Sequence, residues 1–294
     1  KNTCEGGGDH ITYPTVEITL GAFAIDEHEV TNLQYVHCVA HGACTDPKYG
    51  NTAAYGALQS ITKYYDDKGN SYDNHPVVNV THSQAVQYCS FVGKRLPTEF
   101  EWELAATSER NLEDQNEDTT NDVIYPWNSK LIGECSGKKV AIGKCNGDYG
   151  LPQAVKSMDD DVVFNGKTQI YDMAGNVREW VSDPWDEDIT CDKSDTTVPE
   201  CAGGVANCLG QCTNDASNRY ACTPYDPKQE PYAAAAVKHG ANDDFAYRGA
   251  SYLTADLCNA STTYRPKPIF VEQLNKSNLD LGFRCACTVG ECPN

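Results

Sequence analysis

The sequence predicts an α+β domain with low regular secondary structure, built from three short helices and a few strands among disulfide-stapled loops. Three observations lead there. Three segments carry a threonine followed three residues later by Gln or Glu, a pairing that caps a helix start. Two stretches, TVEITLGAFAIDEHEV (15–30) and AYRGASYL (246–253), alternate in the manner of strands, while most of the remaining chain is Gly, Asn, Asp and Tyr without periodicity. Fifteen cysteines in 294 residues supply the staples.

The first helix opens at Thr31–Gln34 in VTNLQYVHCVAHG and ends at Gly42; its apolar positions Leu33, Val36 and the Ala40 turn predict a core-facing stripe. The second opens at Thr81–Gln84 in VTHSQAVQYCSFVG and ends at Gly93, with Ala85, Tyr88, Cys89 and Val92 facing the core. The third opens at Thr98–Glu101 in LPTEFEWELAAT, with Pro97 just outside the cap. SERNLEDQNEDTTND (108–122) is polar and acidic and predicts an exposed loop. From about 186 to 238 five cysteines occur almost without apolar periodicity, so one domain over 1–294 with a Cys-rich, disulfide-held insertion is expected.

Lys and Arg number 23 against 42 Asp and Glu, a net charge of −19 that repels phosphate backbones and anionic membrane surfaces. Nucleic acid is therefore not an expected partner. The cysteines lack the paired spacing of zinc sites, and Cys38 with Cys44, Cys135 with Cys145, and Cys287 with Cys292 lie close enough for loop staples. Such usage points to a secreted or cell-surface protein. The odd count leaves one cysteine unpaired or joined to another chain. No apolar run approaches the ~20 residues needed to span a bilayer. No signal peptide is seen either, and a mature form is expected. NVT at Asn79 matches a glycosylation acceptor, a pattern frequent by chance.

DMAGNVREW (172–180) places two carboxylates and a glycine among Met173, Val177 and Trp180. Burying carboxylates without a counter-charge costs several kcal/mol or forces protonation. Two readings are open. Asp172 and Glu179, with the carbonyls of Gly175 and Val177, are suited to calcium, which prefers six to eight oxygens. Alternatively, Asp172 caps a turn and Glu179 pairs with an arginine such as Arg178 or Arg284.

HPVVNVTHSQAVQYCSFVGKRLPTEFEWELAA (75–106), YPWN (125–128), YDMAGNVREWVSD (171–183), YRGASY (247–252) and LGFRCA (281–286) occur in that order. Together they resemble the formylglycine-generating enzyme, or sulfatase-modifying-factor, family, from about Thr15 to Ala286. The resemblance implies a C-type-lectin-like fold with structural calcium held by Asp172, Gly175, Val177 and Glu179. It also implies a second calcium site, for which Asn146 is the candidate. The family's bridge from the second helix to the GFRC motif implies a Cys89–Cys285 disulfide, worth about 4 to 5 kcal/mol on the chain-entropy model.

Members of this family that oxidise a cysteine to formylglycine hold copper(I) between two cysteines shortly after the motif matched by Ser251 and Tyr252. Here Thr254 stands where the first cysteine belongs, and a hydroxyl is a poor ligand for that soft ion. Cys258 lies near the second position, displaced by one residue, and is expected in a structural disulfide. Copper and the oxidase chemistry are therefore not expected. The seven histidines, His10, His28, His37, His41, His75, His82 and His239, include none of the HxxxE arrangement that iron-dependent relatives use, and His28, His75 and His82 are expected to be hydrogen-bonded structural residues. No GxSxG elbow is present.

What remains is a non-catalytic, calcium-stabilised module that binds a protein or carbohydrate at the cell surface, or serves as a structural component there. Seventeen tyrosines, many in polar contexts such as TKYYDDKGNSYDN (62–74), suit either a contact surface or a loop-rich core. Relatives diversified by retroelements vary the segment before GFR, which makes Ser251, Tyr252, Thr254, Asp256, Asn259 and Tyr264 the candidate ligand contacts. A divergent oxidase acting on a protein cysteine is the alternative. A subunit of an extracellular filament or adhesin, self-assembling or joined by the odd cysteine, is a third.

Overall fold

The computed structural model describes residues 20–47, 64–65, 72–107, 125, 139–146, 151–165, 168–184, 212–214, 220–222, 245–254, 260, 262 and 279–293. Helices α1 (Asn32–Ala40), α2 (His82–Phe91) and α3 (Glu99–Ala106) each start one residue after a predicted threonine. Both arms of the capping box form in all three. The hydroxyls of Thr31, Thr81 and Thr98 accept the N–H groups of Gln34, Gln84 and Glu101 at 3.3, 3.2 and 3.1 Å. Those residues' side chains accept the threonine N–H groups in return at 2.8, 2.9 and 2.8 Å. Each cap contributes about 1 kcal/mol, so the helix starts are set locally, before any tertiary contact.

The buried face of α2, with Ala85, Tyr88 and Cys89, is the predicted one. That of α1 is not. Leu33 is 53% exposed, whereas Asn32, Tyr35 and Cys38 are buried. A tyrosine ring removes more apolar area from water than a leucine, and Tyr35 stacks on Tyr88 at 5.7 Å and meets Phe283 edge-on at 6.3 Å. Asn32 follows it inward because its amide reaches the carbonyls of Tyr72 and Tyr64 at 3.0 and 3.4 Å. Tyr35, Tyr64, Tyr65, Tyr88, Tyr125, Tyr247 and Tyr252 are all buried. In the described residues tyrosine builds the core of a loop-rich fold, and Tyr64 and Tyr65 are not the surface rings that one reading of 62–74 expected.

Strand β1 (Phe23–Ile25) and the hairpin of β2 (Val162–Asn165) with β3 (Thr168–Tyr171) precede the central strand β4 (Arg178–Pro184) in sequence. On one side β4 pairs antiparallel with β7 (Phe245–Arg248), placing Glu179 opposite Arg248. On the other it runs parallel to β8 (Leu281–Gly282), placing Glu179 opposite Gly282. Strand β9 (Ala286–Thr288) then pairs antiparallel with β1, Ala24 facing Cys287. Two short strands, β5 (Cys212–Asn214) and β6 (Tyr220–Cys222), form a hairpin within the expected insertion, with Cys212 opposite Cys222; the rest of 186–238 lies outside the described residues. A four-residue helix, α4 (Gly143–Asn146), precedes β2. No described helix is long and apolar enough to cross a membrane.

The predicted bridges Cys38–Cys44, Cys89–Cys285 and Cys287–Cys292 are present. Cys145 is also disulfide-bonded, while Cys135, its expected partner, lies outside the described residues. Asn79 is buried and adopts a left-handed backbone, so the folded chain does not offer its sequon to modification. The Cys89–Cys285 bridge spans 196 residues and fastens α2 to the segment joining β8 to β9. Replacing both cysteines by alanine should lower unfolding free energy by about 2–5 kcal/mol in a chemical denaturation series; an unchanged midpoint would contradict this.

Candidate functional site

The DMAGNVREW stretch leaves β3 and enters β4 through a turn in which Asp172 and Asn176 both take left-handed backbone angles, φ 59° and 61°. Asp and Asn tolerate that region because their short side chains bond locally. Gly175 is required for a different reason. A Cβ there would lie 2.8 Å from the Ala141 carbonyl oxygen and 2.9 Å from Cγ1 of Ile142, so the loop packs directly on the 140–142 segment.

Asn176 locks that packing. Its N–H donates to the Ala141 carbonyl at 2.8 Å and its own carbonyl accepts from the Tyr252 N–H at 2.9 Å. Its side-chain oxygen accepts from the Gln153 N–H at 2.8 Å, and its amide nitrogen reaches Glu29 and the Gln153 carbonyl, each at 3.3 Å. Asp161 serves the same loop, accepting the N–H groups of Gly175 at 2.8 Å and Ala174 at 3.0 Å.

The structure brings Asp172 and Glu179 into one buried cluster, together with Asp161, Glu29 and Arg284. Glu179 is fully engaged. Its two oxygens accept from Nη2 and Nε of Arg284 at 2.7 and 2.8 Å, and the second also accepts from Nε1 of Trp102 at 2.8 Å. Arg284 donates further to the carbonyls of Tyr171 and Asp26 at 2.9 and 3.1 Å. One oxygen of Asp172 accepts from the Lys156 N–H at 2.7 Å, and the other, Oδ1, has no partner among the described residues. Glu29 has an equally unpartnered oxygen, Oε1.

Four buried carboxyl groups thus surround a single guanidinium. Burial pushes the Asp161 carboxyl up to about 6, and burial together with the charge of Asp161 pushes Asp172 up to about 7. Glu29 is raised strongly, first by burial and then by the charges of Asp172 and Glu179. The cluster needs more positive charge than Arg284 supplies, from protons or from a cation. Asp172 suits a cation through its free oxygen. Glu179 does not as it stands, because both its oxygens are committed to Arg284 and Trp102. Gly175 and Val177 are in the same buried turn, whereas Asn146 ends α4, well before it in the chain. Among the described residues no group of three or more His, Cys, Asp and Glu is arranged to hold an ion. Glu29 and Asp161 escape the sequence reading because no local pattern marks them; Asn176 lies in the conspicuous DMAGNVREW stretch, but its bond to Glu29 spans 147 residues and is not legible there.

The expected ligand contacts are redistributed. Ser251 and Tyr252 are buried and cannot meet a partner: Ser251 donates its hydroxyl to Asp280 at 2.7 Å and Tyr252 donates to the Leu279 carbonyl at 3.3 Å. Thr254 is half-buried. Its hydroxyl accepts from the Ser251 N–H at 2.8 Å, and its N–H donates to the Ser251 carbonyl at 2.9 Å, closing a tight turn whose tip, Leu253, is 48% exposed. Asp256, Cys258, Asn259 and Tyr264 lie outside the described residues. The structural role expected for three histidines is met: His28, His75 and His82 bond the carbonyls of Glu29, Pro152 and Val181 at 2.7, 2.7 and 2.9 Å.

This tyrosine-rich α+β frame, with its buried loop before β4 and its GFRC segment bridged to α2, has a family. The model of the sulfatase-modifying factor enzyme 1-like domain matches residues 3–289, and the chain belongs to that family. The formylglycine-generating enzyme of Thermomonospora curvata is 29% identical over 219 residues, covering 63% of this chain and 67% of that protein. Serine/threonine-protein kinase pkn1 of Chlamydia caviae is 32% identical over 180 residues, 60% of this chain but 25% of the kinase, so the chain spans only a quarter of that relative. Among solved structures, Treponema denticola variable protein 1 matches with a TM-score of 0.53 at 20% identity, covering 93% of this chain and 87% of that one, a likeness of fold.

The raised carboxyls fix the sign of a pH effect. Asp172 titrates near 7 folded and near ~3.9 unfolded, so the stability it contributes is present below the unfolded value and lost as pH rises through the folded one. In the presence of chelator the protein should lose unfolding free energy between mildly acidic and mildly alkaline pH, and Asp172→Asn should flatten that loss by a few kcal/mol. Parallel pH profiles for the two proteins in urea titrations would contradict the burial argument.

Proposed function

We propose that the chain is a secreted, calcium-stabilised and non-catalytic member of its family, of C-type-lectin-like architecture, that binds a protein or carbohydrate at the cell surface. The observation that carries this reading is Thr254. It stands where the family's first copper-binding cysteine belongs, and its hydroxyl is occupied in closing the 251–254 turn. A hydroxyl engaged in this way offers copper(I) no soft donor. The position that would start an oxidase centre instead shapes a rigid turn with an exposed tip, and rigid tips make specific contacts at low entropic cost. Leu253 and Thr254 therefore replace Ser251 and Tyr252 as the first candidates for the contact face, alongside Asp256, Asn259 and Tyr264. The three loop and long-range disulfides support an oxidising compartment.

Calcium enters this reading as the balancing charge for the buried carboxyls, with Asp172 and Glu29 as its holders through their unpartnered oxygens. It would supply fixed positive charge where protons otherwise serve. Adding calcium at neutral pH should raise the unfolding temperature of the wild type and leave Asp172→Asn unchanged; no shift in the wild type would remove calcium from the account.

The catalytic claim has its own test. Anaerobic titration with copper(I) should show no thiolate-bound copper, and later incubation with oxygen and a cysteine-containing sulfatase peptide should give no formylglycine. Turnover of the peptide would establish the alternative reading, a divergent oxidase.

A further inference from the structure

The exposed end of α1 carries two histidines one helical turn apart, in HCVAHGAC (37–44). We propose that His37 and His41 form a bidentate surface site for a divalent first-row transition ion of borderline softness, copper(II), nickel(II) or zinc.

Residues i and i+4 share a helix face, and here the two imidazole rings lie 4.6 Å apart, centroid to centroid, tilted by 60°. His41 Nδ1 is 2.8 Å from the His37 carbonyl oxygen. A carbonyl only accepts, so Nδ1 carries the hydrogen and the lone pair is on Nε2, turned away from the backbone. Ligating histidines are commonly oriented in this way, with one ring nitrogen donating to a carbonyl and the other free for the metal. The ring nitrogens of His37 have no hydrogen-bond partner among the described residues, so both rings keep an uncommitted donor. Phe91 of α2 packs beside His41 at 5.7 Å and walls one side of the pair.

Helix ends fray, and a pair of ligands at the last turn would ordinarily lose its geometry. This end is clamped. The Cys38–Cys44 disulfide closes the segment just after His37. Gly42 takes the left-handed conformation at φ 73° that ends the helix, and the N–H groups of His41, Gly42 and Ala43 are bonded back to His37, Val39 and Cys38 at 3.2, 2.9 and 3.2 Å. The ligand pair is thus preorganised, which removes the ordering cost of chelation. Imidazole nitrogen selects copper, nickel and zinc over calcium and magnesium, so this site is chemically separate from the buried carboxyl cluster. Two protein ligands leave the remaining coordination positions to water or to a donor on another molecule. The net charge of −19 raises the local concentration of any cation.

The test uses the full chain in excess calcium, which occupies carboxylate oxygens, titrated with copper(II) and followed by electron paramagnetic resonance. One tight equivalent with coupling to two imidazole nitrogens is expected. His37→Gln and His41→Gln should each weaken that equivalent by about 100-fold or more, the gain that linking two weak ligands provides, with unfolding temperature unchanged because both side chains are exposed. His28→Gln should leave affinity unaltered. Wild-type affinity in the His37→Gln/His41→Gln double variant, or a spectrum with fewer than two nitrogen couplings, would overturn the proposal.

Discussion

The pairing of Arg284 with Glu179 is the interaction around which the rest of this structure is arranged. Glu179 is on the central strand of the three-stranded sheet, and Arg284 is on the segment joining β8 to β9, so their two bonds at 2.7 and 2.8 Å tie the sheet to the strand that closes against β1. The same segment carries Cys285, bridged to α2, and Phe283, packed on Tyr35 and Tyr88. Arg284 also satisfies carbonyls at the end of β3 and beside β1. A charge in this position is tolerable only because every donor on its face has an acceptor. The carboxyls gathered around it are tolerable only because it is there.

The surplus of carboxyl groups makes this cluster more than a structural brace. With Glu29, Asp161, Asp172 and Glu179 against one guanidinium, full ionisation is not compatible with burial, and two oxygens remain without partners. On the proposal above, protons and calcium would serve the same charge balance beside the loop between β3 and β4. The 251–254 turn is tied to that loop through the bond from Tyr252 to Asn176. The loop beside the buried cluster and the turn whose tip is Leu253 thus share a direct main-chain contact.

Local signals made the helix starts legible, because a capping box is complete within four residues and all three formed as expected. Three disulfides were legible too, two from spacing and Cys89–Cys285 from family resemblance. The face of α1 was misjudged, since hydrophobic rank favours Leu33 while ring size and the partners of Asn32 decide the orientation. Asp172 and Glu179 were recognised as a buried pair, but their neighbours Glu29 and Asp161 were not, because long-range partners leave no mark on local pattern. Ser251 and Tyr252, expected as contact residues, are instead anchors, because their side chains bond Asp280 and the Leu279 carbonyl just ahead of β8.

The most direct measurement is a double-mutant cycle on the central pair, with Arg284→Met, Glu179→Gln and the combination compared by chemical denaturation in the presence of chelator. Removing Arg284 alone leaves an uncompensated buried charge and should cost about 3–5 kcal/mol. Adding Glu179→Gln should recover a large part of that loss, giving a strong coupling energy. Additive effects of the two substitutions, or an Arg284→Met protein as stable as the wild type, would contradict the account.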